Sequence, residues 1–284
     1  GLPYYIKGEI QSLDDLVSIT PTEFRQERDI DLRTRQEVIG VNPDQRTIAI
    51  RDLTEDSEYT LGYDALLLST GAAPVTPPID GLNRGGVYTL GSMSAGKELR
   101  EYVARARADG NLQQPDRGPA CRFLETCEGV VGIVGGGYIG VEMAEALATN
   151  GFEVHLFQRG ERVLKQFSPA TSTRIQKHLA EQGVAIHLGD AVTALAGDDE
   201  VGAVVTDADR IPVEMVLVGT GVRPRTDLAT DAGVALGPTG AIATDRFRET
   251  NVADVYAAGD CAEARHVITD EPAYVPLALT ANRH

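Results

Sequence analysis

The sequence predicts an α/β protein of two domains, in which short buried strands alternate with helices. At 284 residues the chain exceeds the size at which a single hydrophobic core usually stops growing. The apolar run at residues 129–134 is followed by a glycine-rich turn and then by apolar residues at helical spacing. Further short apolar runs return between predicted helices, which is typical of a parallel sheet assembled from strand, helix and strand units.

Composition and charge are those of a globular protein and exclude several functions. Hydrophobic residues make up 42% and charged residues 24%, and no apolar run approaches the roughly 18 residues of a membrane-spanning helix. The net charge of −16 repels phosphate backbones and anionic lipids, so no nucleic acid and no membrane is expected as a partner. Because no signal-peptide pattern is present, we expect a cytoplasmic location.

The cationic residues are mostly arginine. Only four of the 26 are lysines, at positions 7, 97, 165 and 177. Acid-rich, lysine-poor surfaces suit a high-salt cytoplasm, where repulsion is screened over about 3 Å at molar salt. A halophilic source is therefore our hypothesis, which predicts that molar KCl raises stability; an ordinary acidic mesophilic protein is the alternative.

The three cysteines, Cys121, Cys127 and Cys261, fit neither a disulfide framework nor a zinc ribbon nor a Cys-x-x-Cys redox pair. We expect buried or loop thiols, and we predict no metal site. Residues 107–122 are polar and are predicted to be a loop or insertion without a separate function.

The predicted elements follow one another along the chain. Ser168-Pro169 is a helix start, because serine caps helices and proline suits the first turn. Strands are predicted at residues 46–51, 65–69, 129–134, 153–157, 185–188, 203–206, 215–218 and 255–258, and helices at residues 141–149 and 168–183.

The glycine-rich turn is the strongest functional signal. Residues 135–140 read Gly-Gly-Gly-Tyr-Ile-Gly, which fits G-x-G-x-x-G between a strand and a helix, the context that the dinucleotide-binding motif requires. Gly135 allows the tight turn, Gly137 lets the backbone approach a pyrophosphate, and Gly140 lets the helix pack on the strand. Unpaired N–H groups and the positive dipole end of the helix favour the phosphates. A connecting loop is the alternative.

The end of the second strand of this unit indicates which dinucleotide binds. An acidic residue there would accept hydrogen bonds from a ribose 2′-hydroxyl, but this chain has Gln158-Arg159, and Gln158 lies 18 residues after Gly140. Gln158 carries no charge to repel a 2′-phosphate, and the planar fork of Arg159 can pair with one. The pair favours NADPH over NADH, with use of both coenzymes possible; a solvated Arg159 is the alternative.

These residues resemble a known family, the pyridine-nucleotide disulfide oxidoreductases, and within it the coenzyme A disulfide reductase and NADH oxidase branch. The motifs that carry the resemblance run in order along nearly the whole chain: Leu2-Pro3-Tyr4-Tyr5-Ile6, Tyr63-Asp64 to Thr70-Gly71, the glycine motif with Glu142, residues 219–224, and Thr250-Asn251-Val252 to Ala258-Gly259-Asp260.

The resemblance implies two Rossmann-like domains, an NAD(P)-binding domain inserted into an FAD-binding domain. It places the two parts of the FAD-binding domain at residues 1–92 and 220–284, and the NAD(P)-binding domain at residues 93–219. Toward FAD it implies Thr70, Gly71 and Ala72 in a small-residue turn, Gly221 beyond the inserted domain, and Asp260 at the ribityl and pyrophosphate part. Ala73 stands where the family often has arginine. A helix-capping role is the alternative for Asp260.

The resemblance also assigns two residues near the reacting rings. Glu142 would lie near the nicotinamide and flavin, and Tyr138 would cover the flavin until NAD(P)H displaces it. Ordinary first-turn helix positions are the alternative for both.

The implied activity is hydride transfer from NAD(P)H through FAD to a disulfide acceptor, most like coenzyme A disulfide reductase because of Pro3-Tyr4-Tyr5. An NADH oxidase or peroxidase that reduces oxygen or peroxide is the alternative, and a non-catalytic nucleotide-binding module is a second one. In the family the redox cysteine directly precedes the Pro-Tyr-Tyr segment, so it is expected just before Gly1. A C-terminal domain of the family, which we expect beyond residue 284, would form a homodimer.

Overall fold

The computed structural model describes residues 1–108 and 129–283. The helices in these ranges are α1 (Leu2–Lys7), α2 (Pro21–Glu27), α3 (Met93–Ala108), α4 (Tyr138–Thr149), α5 (Pro169–Glu181), α6 (Asp227–Asp231) and α7 (Ala278–Ala281). The strands are β1 (Gln36–Asn42), β2 (Thr47–Asp52), β3 (Ser57–Gly62), β4 (Leu66–Leu68), β5 (Ala72–Pro74), β6 (Val87–Thr89), β7 (Val130–Val134), β8 (Glu153–Gln158), β9 (Ala185–Leu188), β10 (Val192–Gly197), β11 (Val201–Thr206), β12 (Arg210–Pro212), β13 (Met215–Val218), β14 (Val222–Pro224), β15 (Val255–Ala257), β16 (Ala264–Arg265) and β17 (Pro272–Ala273).

The α/β class is confirmed, and the central strands agree with their predicted bounds to within about two residues. Residues 107–108 end helix α3 and do not begin the predicted loop. The rest of that loop, with Cys121 and Cys127, lies outside the described residues.

The chain divides into two compact units. The first unit comprises Gly1–Ser18 and Pro74–Gly221, and the second comprises Ile19–Ala73 and Val222–His284. Residues 1–18, 74–92 and 220–221 pack with the first unit; the expected FAD- and NAD(P)-binding domain bounds stay a prediction. The physical reason is packing: the side chains of Tyr5 and Ile6 are buried in the core of the first unit, and strand β6 completes its sheet.

The first unit is built on a five-stranded parallel sheet with the order β6-β13-β7-β8-β9. Val134 is paired with Phe157 on one side and with Val218 on the other, so three neighbouring strands end at the same edge. Strands β7 and β13 are buried along their whole length. That burial explains their continuous apolar sequences, since strands covered on both faces do not alternate.

Different elements cover the two faces of this sheet. Ile133, Leu156 and Leu217 belong to a core shared with helices α1, α3, α4 and α5. Val134 and Phe157, on the opposite face, pack with the antiparallel sheet β10-β11-β12. The serine cap predicted for α5 is present, since Ser168 Oγ accepts a hydrogen bond from Thr171 N at 3.2 Å.

The second unit contains an antiparallel sheet, β1-β2-β3, and a parallel pair formed by β4 and β15. Its core includes Leu68, Ile242, Val255 and Cys261. The thiol of Cys261 is buried and lies 3.3 Å from the carbonyl oxygen of Ala258. The prediction of an ordinary buried thiol is therefore confirmed for this cysteine.

Candidate functional site

The glycine-rich turn connects the end of β7 to the start of α4 at the carboxyl edge of the parallel sheet. Gly135 has a φ of +112°, a conformation that side-chain-bearing residues rarely adopt, and its amide donates to the Phe157 carbonyl at 2.8 Å. A Cβ on Gly135 would lie 2.4 Å from the carbonyl oxygen of Gly219, which belongs to the segment after β13. The turn is therefore held against the ends of two neighbouring strands, and only glycine fits its first position.

Gly140 and Gly137 differ in what an added side chain would meet. Gly140 is buried in the first turn of α4, and a Cβ there would lie 1.8 Å from the Gly135 carbonyl oxygen. Gly137 caps the helix with a φ of −82°, and the space within 4 Å of its absent Cβ is empty of protein atoms. Gly140 thus brings the helix against the turn, whereas Gly137 leaves an open approach to the backbone.

The start of α4 can hold an anion. The first intrahelical bond runs from Val141 N to the Gly137 carbonyl at 3.0 Å, so the amides at residues 138–140 have no acceptor within the helix. No side chain caps this end of the helix. These N–H groups and the helix dipole together favour a phosphate at the space beside Gly137.

Gln158 and Arg159 lie next to this turn, at the end of β8. The Gln158 side-chain oxygen accepts a hydrogen bond from Gly136 N at 2.9 Å, so the side chain also braces the glycine turn. Sequence reasoning missed this contact, because it joins residues that are distant along the chain. Arg159 is exposed directly beyond the strand. Its guanidinium is therefore accessible to a charged group on a bound coenzyme.

Tyr138 and Glu142 occupy one face of α4, one helical turn apart. The ring of Tyr138 is 42% exposed and meets the ring of Phe167 edge to face, with 6.0 Å between the centroids. Phe167 is itself 40% exposed, and sequence reasoning missed it. The sequence feature that could have identified Phe167 is its position directly before Ser168, the N-cap of α5. Glu142 is exposed one turn farther along the helix.

In the second unit the turn after β4 and the residues after β15 leave the same edge of a parallel pair. The pairing of Leu68 with Ala257 fixes this register, and Ala258 N donates to the Leu68 carbonyl at 3.0 Å. Gly71 has a φ of +70° with no protein atom within 4 Å of its absent Cβ, and Gly259 has a φ of +81°. The turn at Gly71 therefore presents open backbone, whereas a Cβ at Gly259 would lie 3.3 Å from Ser69 Oγ.

The other predicted residues of this edge have contacts of their own. The Thr70 hydroxyl donates to the Arg225 carbonyl at 2.7 Å, which ties this turn to the segment after β14, and Ala72 opens the short strand β5. Asp260 is half-buried, and its backbone carbonyl accepts a hydrogen bond from the Tyr274 hydroxyl at 3.1 Å. Burial, aided by the negative charge of Asp260, raises the pKa of Tyr274 to about 12.

Gly221, the remaining predicted residue, lies in the first unit. It has a φ of +112°, and no protein atom lies within 4 Å of its absent Cβ. Its carbonyl accepts a hydrogen bond from Val75 N at 2.9 Å, so its position is fixed by backbone contacts.

Within residues 1–108 and 129–283 no group of three His, Cys, Asp or Glu side chains is arranged to hold a metal ion. Over the same ranges no helix combines the length and the apolar character needed to cross a bilayer.

Comparison with known proteins agrees with this geometry. The family model described as pyridine nucleotide-disulphide oxidoreductase matches residues 5–281. A coenzyme A polysulfide/persulfide reductase of Pyrococcus horikoshii that uses NAD(P)H is 36% identical over all of this chain, which spans 58% of that protein's length.

Solved structures show the same relationship. The reduced CoADR-RHD of Bacillus anthracis superposes with a TM-score of 0.88 at 29% identity, over 100% of this chain and 47% of that one. An engineered water-forming NADPH oxidase, a mutant of the Lactobacillus brevis NADH oxidase, was solved with NADPH bound. It superposes with a TM-score of 0.86 at 28% identity, over 100% of this chain and 58% of that one.

The family model covers nearly the whole chain, and the expected two-domain Rossmann-type architecture is shared with these structures. The glycine motif lies between strand β7 and helix α4, as the sequence predicted. The chain belongs to the pyridine nucleotide-disulphide oxidoreductase family.

Proposed function

We propose that this protein is a flavin-dependent oxidoreductase that passes hydride from NAD(P)H through FAD to a disulfide acceptor. The observation that carries the proposal is the open backbone at Gly137, beside amides of α4 that have no acceptor within the helix. The relative from Pyrococcus horikoshii is a reductase of coenzyme A polysulfide or persulfide that uses NAD(P)H. We therefore propose that the acceptor is a coenzyme A derivative whose sulfur is bonded to another sulfur, as in a disulfide or persulfide.

The residues at the glycine turn fit the pyrophosphate of a nicotinamide coenzyme. A phosphate oxygen beside Gly137 would accept hydrogen bonds from the amides of the first turn of α4, without displacing any protein atom. Gly135 and Gly140 keep the turn and the helix close enough for these amides to converge. The chain's contribution to this step is to bind the coenzyme in one orientation.

Gln158 and Arg159 support NADPH as the preferred coenzyme. The engineered NADPH oxidase differs from its parent by five substitutions, which include aspartate to alanine and, at the next residue, alanine to arginine. Loss of a carboxylate and gain of a guanidinium are the same chemical features that Gln158-Arg159 presents. Arg159 is exposed and can pair with a 2′-phosphate through two parallel hydrogen bonds.

The edge formed by the turns after β4 and β15 fits FAD. Gly71 leaves backbone uncovered there, and Asp260 supplies a carboxylate that accepts hydrogen bonds from sugar-alcohol hydroxyls. When bound, FAD accepts a hydride and passes on electrons singly or in pairs. The proposed role of Thr70, Gly71, Ala72 and Asp260 is to hold it.

Tyr138 and Glu142 are the proposed residues nearest the reacting rings. The Tyr138 ring is 42% exposed and packs edge to face with Phe167, so much of it faces outward rather than into the core. We infer that it covers the flavin in the absence of coenzyme and moves aside when NAD(P)H enters. Glu142, exposed on the same face of α4, orients the nicotinamide in this proposal.

An NADH oxidase is the second candidate function, because the parent of the engineered relative is a water-forming NADH oxidase. The two activities differ in what receives the electrons: the sulfur–sulfur bond of a disulfide or persulfide in the reductase, and dioxygen in the oxidase. An in-frame cysteine codon directly before Gly1, where the resemblance places the redox cysteine, would support either enzyme over a nucleotide-binding module.

The full-length protein tests the proposal. Its visible spectrum should show bound flavin, and NADPH oxidation should depend on added coenzyme A disulfide under anaerobic conditions. Oxidation that requires dioxygen and is unaffected by the disulfide would establish the oxidase instead. A colourless protein that binds coenzyme without oxidising it would overturn both candidates and leave a nucleotide-binding module.

A variant pair tests the coenzyme preference. Arg159→Ala should lower kcat/KM for NADPH by about tenfold or more and leave the value for NADH within about twofold, since one charge-assisted contact contributes about 1.5–3 kcal/mol. Arg210→Ala removes another exposed arginine of the first unit and serves as the control. A parent enzyme that strongly prefers NADH would refute the assignment.

A further inference from the structure

The second unit contains a cavity of about 460 Å³ that shares no residue with the proposed FAD edge. Its lining includes three arginines, Arg246, Arg248 and Arg265, and two acidic residues, Asp245 and Glu263. An excess of cationic residues is unusual in a chain whose net charge is −16. The volume falls within the range of about 300–1,000 Å³ that is typical of small-molecule sites.

Arg248 is the central residue of this cavity. Its side chain is partly buried, and within the described residues no carboxylate oxygen lies within ion-pair distance of its guanidinium. Its Nη1 donates to the backbone carbonyl of Glu263 at 3.0 Å. Burial lowers the pKa of Arg248, with Asp245 opposing the shift through its charge. A partly buried cation without a paired anion is costly unless a ligand supplies the anion.

The backbone at Arg248 is held in an uncommon conformation. Its φ of +68° lies in the left-handed region, which costs energy for a residue with a side chain. The Asp245 carboxylate stabilises this turn by accepting hydrogen bonds from Phe247 N at 2.8 Å and Glu249 N at 3.0 Å. This turn fixes the backbone of Arg248, and the hydrogen bond from Nη1 to the Glu263 carbonyl holds the guanidinium, so less entropy is lost on binding.

The acidic residues of the lining have other partners. The Glu263 carboxylate accepts hydrogen bonds from the amide of Thr239 at 2.9 Å and from its hydroxyl at 2.7 Å. Asp245 is engaged in the turn described above. Among the arginines, Arg265 is paired with Asp270, whereas Arg246 lies over the Phe247 ring and has no ion-pair partner among the described residues. Arg246 and Arg248 are thus the cations available to a ligand.

Thr244 provides an independent observation. It lines the same cavity, and its hydroxyl oxygen is buried without a hydrogen-bond partner. A buried hydroxyl in that state is destabilising, because it has lost its hydrogen bonds to water without gaining a protein partner. Rotation about χ1 exchanges the hydroxyl with the methyl group, which would allow the hydroxyl to donate to a bound anion.

We propose that this cavity, the arginine cavity, binds the phosphate group of a small phosphorylated molecule. A phosphate monoester carries close to two negative charges and three acceptor oxygens. These match the guanidinium donors of Arg246 and Arg248 and the hydroxyl donor of Thr244. A free phosphate ion would satisfy the same donors but fill only part of the volume, so the rest of the cavity accommodates the remainder of the molecule.

The test uses the full-length protein with inorganic phosphate and ribose 5-phosphate as probes. Each should raise Tm above that in chloride at equal ionic strength, and calorimetric titration should give a saturable Kd. Tighter binding of the sugar phosphate is expected, because it fills more of the cavity. Equal affinities would identify free phosphate as the ligand, and absence of both effects would overturn the proposal.

Substitutions test whether phosphate binds in the arginine cavity. Arg248→Gln should weaken phosphate binding by at least about fivefold, while Arg28→Gln, an exposed arginine of the same unit, should not change it. Phosphate bound at the coenzyme site would instead be lost in Arg159→Ala. If Arg248→Gln does not fold, Thr244→Val provides the test. This variant should bind phosphate more weakly and should have an equal or higher Tm in the absence of phosphate. Unchanged phosphate binding in Thr244→Val would refute the site.

Discussion

Among substitutions in the glycine turn, Gly137→Ala should best distinguish an effect on coenzyme binding from an effect on the stability of the fold. The absent Cβ has no protein atom within 4 Å, and the φ of −82° suits alanine. Replacing glycine by alanine reduces the conformational freedom of the unfolded chain, which stabilises the folded protein by about 0.4–1 kcal/mol. Alanine is a poorer N-cap than glycine, which destabilises the helix by a similar amount. The free energy of unfolding should therefore change by less than about 1 kcal/mol.

Coenzyme binding should respond strongly to the same change. The added methyl group would fill the space in which we propose that the pyrophosphate lies, and at least one hydrogen bond to a charged oxygen would be lost. Such bonds contribute about 1.5–3 kcal/mol, which corresponds to a roughly 10- to 100-fold increase in Kd. Calorimetric titration with NADPH measures this quantity, and urea unfolding measures stability.

Gly140→Ala is the matched control with the opposite outcome. Its Cβ would lie 1.8 Å from the Gly135 carbonyl oxygen. An ordinary carbon–oxygen contact is about 3.3 Å or more, so helix and turn would have to separate by roughly 1.5 Å, at a cost of about 1–3 kcal/mol or more. An unchanged Kd in Gly137→Ala, with both variants equally stable, would show that no phosphate binds at this turn.

Three further predictions concern single side chains. Tyr138→Ala should change the coenzyme KM severalfold with little loss of stability, because the ring is 42% exposed, and Tyr138→Phe should retain the parent KM in steady-state assays. Burial lowers the pKa of His187, and the charge of His155 adds to this, so stability should decline as pH falls below about 6.5. In urea unfolding at several pH values, His187→Gln should reduce the decline in midpoint, whereas His178→Gln, at an exposed histidine, should leave it unchanged. An equal decline in both variants would contradict the assignment to His187. The raised pKa of Tyr274, about 12, predicts stability that is present below about pH 10 and is lost as pH rises toward 12, and Tyr274→Phe should reduce that loss in unfolding curves.

Local chemistry made the glycine turn predictable from sequence. Gly135 and Gly140 are required by backbone conformation and close packing within six residues of chain, and the apolar run of β7 directly precedes them. Strand β13 was predictable because burial on both faces makes its sequence apolar. Strand β8 was predictable from alternation, since buried Val154 and Leu156 lie between more exposed residues.

Contacts between distant segments were not predictable. The Gln158 side chain was expected to meet a coenzyme, but its oxygen also binds Gly136 N, because the strand β8 lies parallel to β7. The placement of residues 1–18 depends on whether α1 packs on α4, a question that the short sequence of α1 does not answer. Phe167 lies beside Tyr138 only because of the path that the chain takes before α5.

The sequence by itself determined the α/β class, the glycine turn between strand and helix, and the family, because each depends on residue type and spacing over short stretches. The tertiary structure decided the extent of each compact unit, the bracing of the turn by Gln158, and the assembly of the arginine cavity from residues 244–248 and 263–272. Hydrophobic periodicity specifies which face of an element is buried. It does not specify the partner, which is chosen by packing among segments far apart in the chain.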